Sequence, residues 1–390
     1  MSKYNPYYIG IIFCILYPFI SYCQIASTYE LESKIDSIFQ SLEMTGLGLA
    51  VVKNDSIVYH KSFGYKILPH NESSGVPLEN SDIFRIASIS KTFIATAILQ
   101  LVEKDKLSID DDAQNYLNFP LRNPDYIDSP ITIKMLLTHT SSINDSRSWI
   151  SLDRINPNLD SLYKDCYSST VPGVVYKYCN LNYTILGAVI EGATNQRFYQ
   201  YVDDNITKPL GITGNFMGAN LDSCKFVKQY RFNVDLGFYK EDVDTYRVYP
   251  HLFDDSYELG RSLALAFPPG GMKISTGNLA RFMMMHMNYG ELNGVRIISE
   301  ESERLMQDNY VGKSNYGLSY RQYKDIIEEK VFHGQTGGGN GLKGCMIFEP
   351  IDKIGFVILC SGSKSNYIDG YGDIHKPLIQ LLYSYFNKNE

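Results

Sequence analysis

Tryptophan is nearly absent, with one in 390 residues, and the chain carries no surplus of positive charge. Lys and Arg total 36 against 43 Asp and Glu, a net charge of −7. Phosphate backbones are held by a basic footprint, so a nucleic-acid partner is not expected. No low-complexity tract, internal repeat or long charge run divides the chain, so no flexible linker is expected. No apolar run approaches the ~20 residues that span a bilayer. Cysteine is also sparse. Five follow residue 24 (Cys166, Cys179, Cys224, Cys345 and Cys360), an odd number that excludes a complete disulfide framework. There is no CxxC or Cys/His spacing for zinc, so the thiols read as scattered and buried, and neither a metal nor an organic cofactor is expected. A GxSxG elbow is missing too, which removes the α/β-hydrolase arrangement.

What remains is an ordinary globular mixture, 44% hydrophobic and 20% charged. Its length suits two or three domains, or one large unit with an insertion. Lys3 followed by the apolar stretch from Ile9 to Ile20 resembles a secretory signal. Ser21 and Cys23 stand at −3 and −1 of a cut before Gln24, giving a 1–23 leader and an exported (periplasmic or secreted) protein. Two alternatives stay open: Cys23 as a lipid-modified first residue, and an uncleaved membrane anchor. Either would be the chain's only tie to a membrane.

Helical spacing runs from Glu30 to Leu42, and Thr92 to Val102 is apolar on nearly every side, as in an interior helix. Leu49–Val52 and Ser56–Ser62 read as a hairpin across Asn54-Asp55. Helices are expected at Ile133–Leu137, Asn182–Gly192 and Phe198–Ile206. Arg296–Ile298 and Tyr316–Tyr320 read as short strands, Gly344–Phe348 and Ile354–Leu359 as neighbouring core strands, and His375–Phe386 as an amphipathic helix. The economical arrangement is α+β: an antiparallel sheet flanked by helices, built from 24–107 and 263–390, with a mostly helical insertion at 108–262.

Ser88-Ile89-Ser90-Lys91 is an SxxK at the mouth of the interior helix. Ser161–Lys164 and Ser361–Lys364 match the same pattern, but only the first opens a long helix that puts i and i+3 on one face. Apolar neighbours predict that Lys91 is buried, and an unpaired buried ammonium either loses its proton or finds partners. A neutral lysine beside a serine hydroxyl is a general base with its nucleophile in reach. The bland alternative is a lysine that snorkels to the surface beside a capping serine. Tyr178-Cys179-Asn180 precedes an apolar helix and offers a proton-relay phenol, given cationic neighbours to lower its pKa, and an amide that both donates and accepts. Gly334-Gln335-Thr336-Gly337-Gly338-Gly339-Asn340-Gly341 permits close backbone approach and an N–H aimed at an oxyanion, or is simply a glycine-rich hairpin.

Other features carry less. Gly339–Gly344 satisfies GxGxxG but leads into a strand, which argues against a dinucleotide. His139 reads as structural and His333 as a possible accessory group at the cleft. Met283–Met285 reads as core packing, and Asp110–Asp112 as a solvated turn.

Taken in order, these segments resemble the serine β-lactamase and penicillin-binding-protein superfamily. Within it they are most similar to the class C β-lactamase-related hydrolases, which include D-aminopeptidases, D,D-carboxypeptidases and esterases. The stretches that carry the resemblance are Phe84–Lys91, Ile131–Ser141 with Leu136-Leu137-Thr138-His139-Thr140-Ser141, Pro209-Leu210-Gly211 and Pro269-Gly270-Gly271-Met272. It runs from about Leu31 to Phe386. The resemblance implies Ser88 as acyl-forming nucleophile, Lys91 as its activator and Tyr178 as proton-transfer group. It implies Asn180 as substrate contact, with Gln335, Thr336 and Gly337 in the place of the Lys/His-Thr/Ser-Gly strand motif. By the same analogy the oxyanion donors are the backbone N–H groups of Ser88 and Gly338, and the site lies in the cleft between sheet and insertion.

Two positions depart from the pattern. Cys179 stands where Ser is usual, and Gln335 replaces Lys or His, removing a cation. A substrate carboxylate then loses a contact of about 1.5–3 kcal/mol, which favours esters or uncharged amides over β-lactams. The expected protein is an exported serine hydrolase acting through an acyl-enzyme on a small-molecule or peptide ester or amide. The alternatives are a catalytically weak binding or sensor protein on the same scaffold, and an acyltransferase.

Overall fold

The computed structural model describes residues 28–70, 74–243, 246, 255–339 and 341–387. The leader and the choice at Cys23 lie outside these residues. Helix α1 (28–41) precedes the central strand β1 (Gly46–Lys53), which turns at Asn54 into β2 (Ser56–Ile67). The rest of the main sheet comes from the far end of the chain: β3 (Arg321–Tyr323), β4 (Phe332–Gly339), β5 (Leu342–Glu349) and β6 (Ile354–Cys360). All neighbours are antiparallel, in the order β3-β4-β5-β6-β1-β2, with the short piece Val76–Pro77 outermost. Joining β1 to β6 closes the sheet between the two ends of the chain.

Strand β1 reads GLGLAVVK rather than alternating, because both its faces are covered. Leu47, Leu49 and Val51 enter one core with Leu31, Ile35 and Phe39 of α1 and Leu378, Ile379 and Leu382 of α5 (Lys376–Phe386). Ala50 and Val52 enter the other, against α2 (Ser90–Glu103), α3 (Asn180–Thr194) and α4 (Thr276–Met287). Every residue of α2 from Ser90 to Leu101 is buried. Phe93 of α2 stacks on Phe282 of α4, and Met283, Met284 and Met285 fill the same core. That second core also contains Leu121, Ile185 and Phe198 from the middle of the chain, so the insertion and the sheet share one apolar interior. The middle segment carries short strands as well: a hairpin of Tyr230–Asn233 with Phe238–Glu241, and Gly214–Asn215, which pairs with Lys273–Ser275 beside Ile83–Arg85.

Several elements differ from the sequence reading. The strand expected at Tyr316–Tyr320 is shifted to Arg321–Tyr323. Tyr316, Leu318 and Tyr320 are buried in an irregular segment in which Ser319 takes φ 80°, so apolar side chains stand there without a ladder. Only Val295–Arg296 pairs in the region expected as Arg296–Ile298. The helix expected through Ile206 is α-helical only over Phe198–Val202 and widens into a π turn at Asp203–Thr207. Cys166, Cys179, Cys345 and Cys360 are buried free thiols, whereas Cys224 is exposed. Among the described residues no helix is long and apolar enough to cross a membrane.

Candidate active site

Strand Ile83–Arg85 delivers the chain to a tight turn at the head of α2. Ala87 there takes φ 45°, a left-handed conformation that costs a Cβ-bearing residue about 1–2 kcal/mol. The turn leaves Ser88 half-buried, between buried Ala87 and Ile89. Strand β4 packs tightly beside it: a Cβ on Gly337 would lie 2.4 Å from the Ile86 carbonyl oxygen, so only glycine permits this approach.

Lys91 follows one helical step behind Ser88 and is fully buried. Its Nζ donates to Ser88 Oγ at 3.0 Å, Asn180 Oδ1 at 2.9 Å and the Pro269 carbonyl at 2.9 Å. The Tyr178 and Tyr183 rings lie 5.0 and 5.5 Å from the amine. Loss of water pushes its pKa down to about 7, although Asp145 pulls the other way. A base poised near neutrality therefore touches the serine hydroxyl. Burial alone does not make such a base: Lys273 is lowered equally, to about 7, but its amine donates to the carbonyls of Phe216 and Gly271.

From the opposite side Tyr178 Oη donates to Ser88 Oγ at 2.8 Å. Its ring keeps 39% exposure toward the cleft, yet the crowding around its hydroxyl raises its pKa. The lowering that cationic neighbours would bring is not what the fold gives, because desolvation outweighs the hydrogen bond to Ser88, and Tyr176 and Asp145 push the same way as burial. The phenol begins as a neutral donor.

Asp145 organises this wall, and sequence reading missed it. Its carboxylate accepts from the N–H groups of Asn180 and Leu181 at 2.9 Å each, from Asn180 Nδ2 at 3.0 Å and from Cys179 Sγ at 3.2 Å. Holding Nδ2 turns the Asn180 carbonyl toward Lys91. Cys179 is buried and supports the wall rather than lining the space over Ser88. His139, with φ 58°, accepts from the Cys179 N–H through Nδ1 at 3.2 Å and meets the Tyr316 hydroxyl through Nε2 at 3.3 Å. Burial keeps its pKa well below the ordinary value, so the ring is neutral with its proton on Nε2.

A cavity of about 360 Å³ opens over Ser88. It is lined by Tyr178, Gln335, Thr336 and Gly338 together with Tyr176, Tyr316, Arg321, Tyr323, Ile368 and Asp369. The glycine-rich stretch is thus the wall-forming strand β4 itself. Gln335 donates to the Tyr316 hydroxyl at 3.0 Å, away from Lys91. The positive charge missing at Gln335 reappears as Arg321 on β3, a position that no sequence pattern singled out. His333 is not in the lining. It is 8% exposed beside Phe348, and burial lowers its pKa to about 4. Near-adjacency in sequence had placed it at the cleft, whereas the strand's path carries it past.

Half-buried Ser88, met by buried Lys91 and by a tyrosine at the edge of an antiparallel sheet, places a hydroxyl and an amine within hydrogen-bond reach of each other, the geometry that nucleophilic catalysis requires. The β-lactamase family profile matches residues 31–376, and the chain belongs to that family. PbpX of Bacillus subtilis (strain 168), a protein named for penicillin binding, is 29% identical over 299 residues, covering 71% of this chain and 72% of PbpX. Protein flp of Staphylococcus aureus (strain MRSA252) is 28% identical over 51% of this chain, which spans 40% of flp. Among solved structures, the octameric penicillin-binding protein homologue of Pyrococcus abyssi superposes with a TM-score of 0.71 at 24% identity, covering 93% of this chain and 77% of that one. The D-amino acid amidase of Ochrobactrum anthropi SV3 gives 0.69 at 18% identity, over 93% of this chain and all of the amidase. These likenesses support the fold in full.

Proposed function

We propose that the protein is a serine hydrolase that cleaves an ester or amide through a Ser88 acyl-enzyme. The observation that carries this is the double contact on one oxygen: Lys91 Nζ at 3.0 Å and Tyr178 Oη at 2.8 Å both meet Ser88 Oγ. Neutral Lys91 takes the Ser88 proton as Oγ forms its bond to the carbonyl carbon, and the carbonyl π pair moves onto oxygen. The oxyanion is received by the N–H groups of Ser88 and Gly338. When the tetrahedral centre collapses, the bond to the leaving alcohol or amine breaks, and Tyr178 supplies the departing atom with a proton that Lys91 replaces. Water then adds to the acyl carbon, giving one proton to the same pair. Collapse releases the acid and returns the proton to Ser88. No redox partner enters.

Asn180 and the β4 edge at Gln335, Thr336 and Gly337 hold the substrate, in the groove between sheet and insertion. Export is part of the same reading, supported by the apolar segment from Ile9 to Ile20. It would be checked by the N-terminal mass of the mature protein.

A chromogenic ester series with wild type and Ser88→Ala tests the chemistry. Turnover that vanishes in the variant, with a Ser88-linked acyl adduct seen by mass spectrometry, is the expected result. Equal turnover in both proteins would remove Ser88 from the reaction. Product analysis with an added alcohol or amine separates hydrolase from acyltransferase.

A further inference from the structure

The cavity over Ser88 holds one charge of each sign, and neither is spent on the other. Arg321 projects from β3 among phenols: its interacting neighbours are Tyr323, Tyr176 and Tyr316. Among the described residues no carboxylate forms an ion pair with it. Asp369 comes from the segment between β6 and α5. Its Oδ2 accepts from Thr336 Oγ1 at 3.0 Å and its Oδ1 from the Tyr371 N–H at 3.1 Å. Both donors are neutral and leave part of the carboxylate's acceptor capacity unused. Behind it, burial holds the His375 imidazole below its ordinary range, so that ring supplies no positive charge at neutral pH. Asp369 is locked in place: a Cβ on neighbouring Gly338 would lie 2.8 Å from its Cα and 2.5 Å from the Ile368 carbonyl oxygen.

A cavity wall with a fixed cation and a fixed anion, each short of a charged partner, is complementary to a ligand with the opposite dipole. From this geometry we propose that the site selects a zwitterionic substrate: a dipeptide-sized ester or amide whose free ammonium meets Asp369 and whose free carboxylate meets Arg321. This rests on the Ser88 site proposed above and names its substrate class. About 360 Å³ is room for two residues and little more. Thr336 is already committed to Asp369, so it does not add to a carboxylate site, and Arg321 alone must carry that end.

The test uses one ester, alanyl-lactate of racemic components, in four forms: both ends free, amine acetylated, carboxylate amidated, and both blocked. Binding of each to the Ser88→Ala protein is measured by calorimetry at neutral pH, and hydrolysis of each by wild type in parallel. The doubly free form should bind at least ~10-fold tighter than either singly blocked form, the loss of one charge-assisted contact. Asp369→Asn should abolish the preference for the free amine while keeping that for the free carboxylate, and Arg321→Gln should do the reverse. Equal affinity for acetylated and free amines, or an amine preference that survives Asp369→Asn, overturns the proposal. So does the absence of binding by any form. The comparison among four ligands on one protein holds even where a variant fails to fold. Ser88-dependent hydrolysis indifferent to both blocks would leave the hydrolase standing and this inference refuted. The binding pattern without Ser88-dependent hydrolysis would do the opposite.

Discussion

Replacing Lys91 by Met, a side chain of similar length without the amine, should change how stability depends on pH. In the folded protein the amine's pKa falls from 10.5 to about 7 because α2 buries it completely. Between those values the unfolded chain holds a proton that the folded one has shed. Folding therefore releases a proton, and stability rises with pH by about 1.4 kcal/mol per unit from this group alone. Below about 7 both states are protonated and the contribution is flat, at its most unfavourable. From pH 7.5 to 9.5 wild type should gain about 3 kcal/mol relative to Lys91→Met. Lys273 is shifted in the same direction, but it is present in both proteins and cancels in the difference. Guanidinium unfolding of the two proteins at both pH values measures it. A difference that does not change with pH would mean the amine stays charged when folded, and the base would be lost from the mechanism with it.

The same titration governs rate: kcat/KM should rise with pH through about 7 as Lys91 becomes neutral, with Arg at this position inactive at every pH because its guanidinium stays charged. Asp145→Ala strips the acceptor from the N–H groups of Asn180 and Leu181 and frees the Asn180 amide to rotate. It should cost about 2 kcal/mol in denaturant unfolding and about 100-fold in kcat, and an unchanged kcat would show that Asn180 needs no such hold. Gly337→Ala drives a methyl into the Ile86 carbonyl two residues before Ser88, so turnover should collapse for a stability loss of only about 1–3 kcal/mol. Retained turnover there would show that β4 does not fix the nucleophile turn.

The parts of this protein legible in its sequence are those that local chemistry writes down. Leu31, Ile35 and Phe39 mark a helix by spacing, and the unbroken apolar runs of β1 and β6 mark strands covered on both faces. The strand expected at Tyr316–Tyr320 was misplaced because those tyrosines are buried by the cavity and core around them rather than by pairing. His333 was drawn toward the cleft by nearness to Gln335, but two residues along a strand is a displacement of about 7 Å.

Asp145, Arg321 and Asp369 left no legible mark. Asp145 and Asp369 are single charged residues in irregular stretches and Arg321 opens the three-residue strand β3, and the importance of each comes from what the fold sets opposite it. Sequence by itself determined the family, the covered sheet and the Ser88–Lys91 step, because an i, i+3 pair on a helix is a local geometric fact. The burial of Lys91 that its apolar neighbours predict is completed by packing, and only tertiary structure decided that Tyr178 meets the same oxygen and that opposite charges from β3 and the segment before α5 share one cavity. Dehydration and long-range juxtaposition depend on what packs around a residue, and segments 90 or more positions apart supply that packing here.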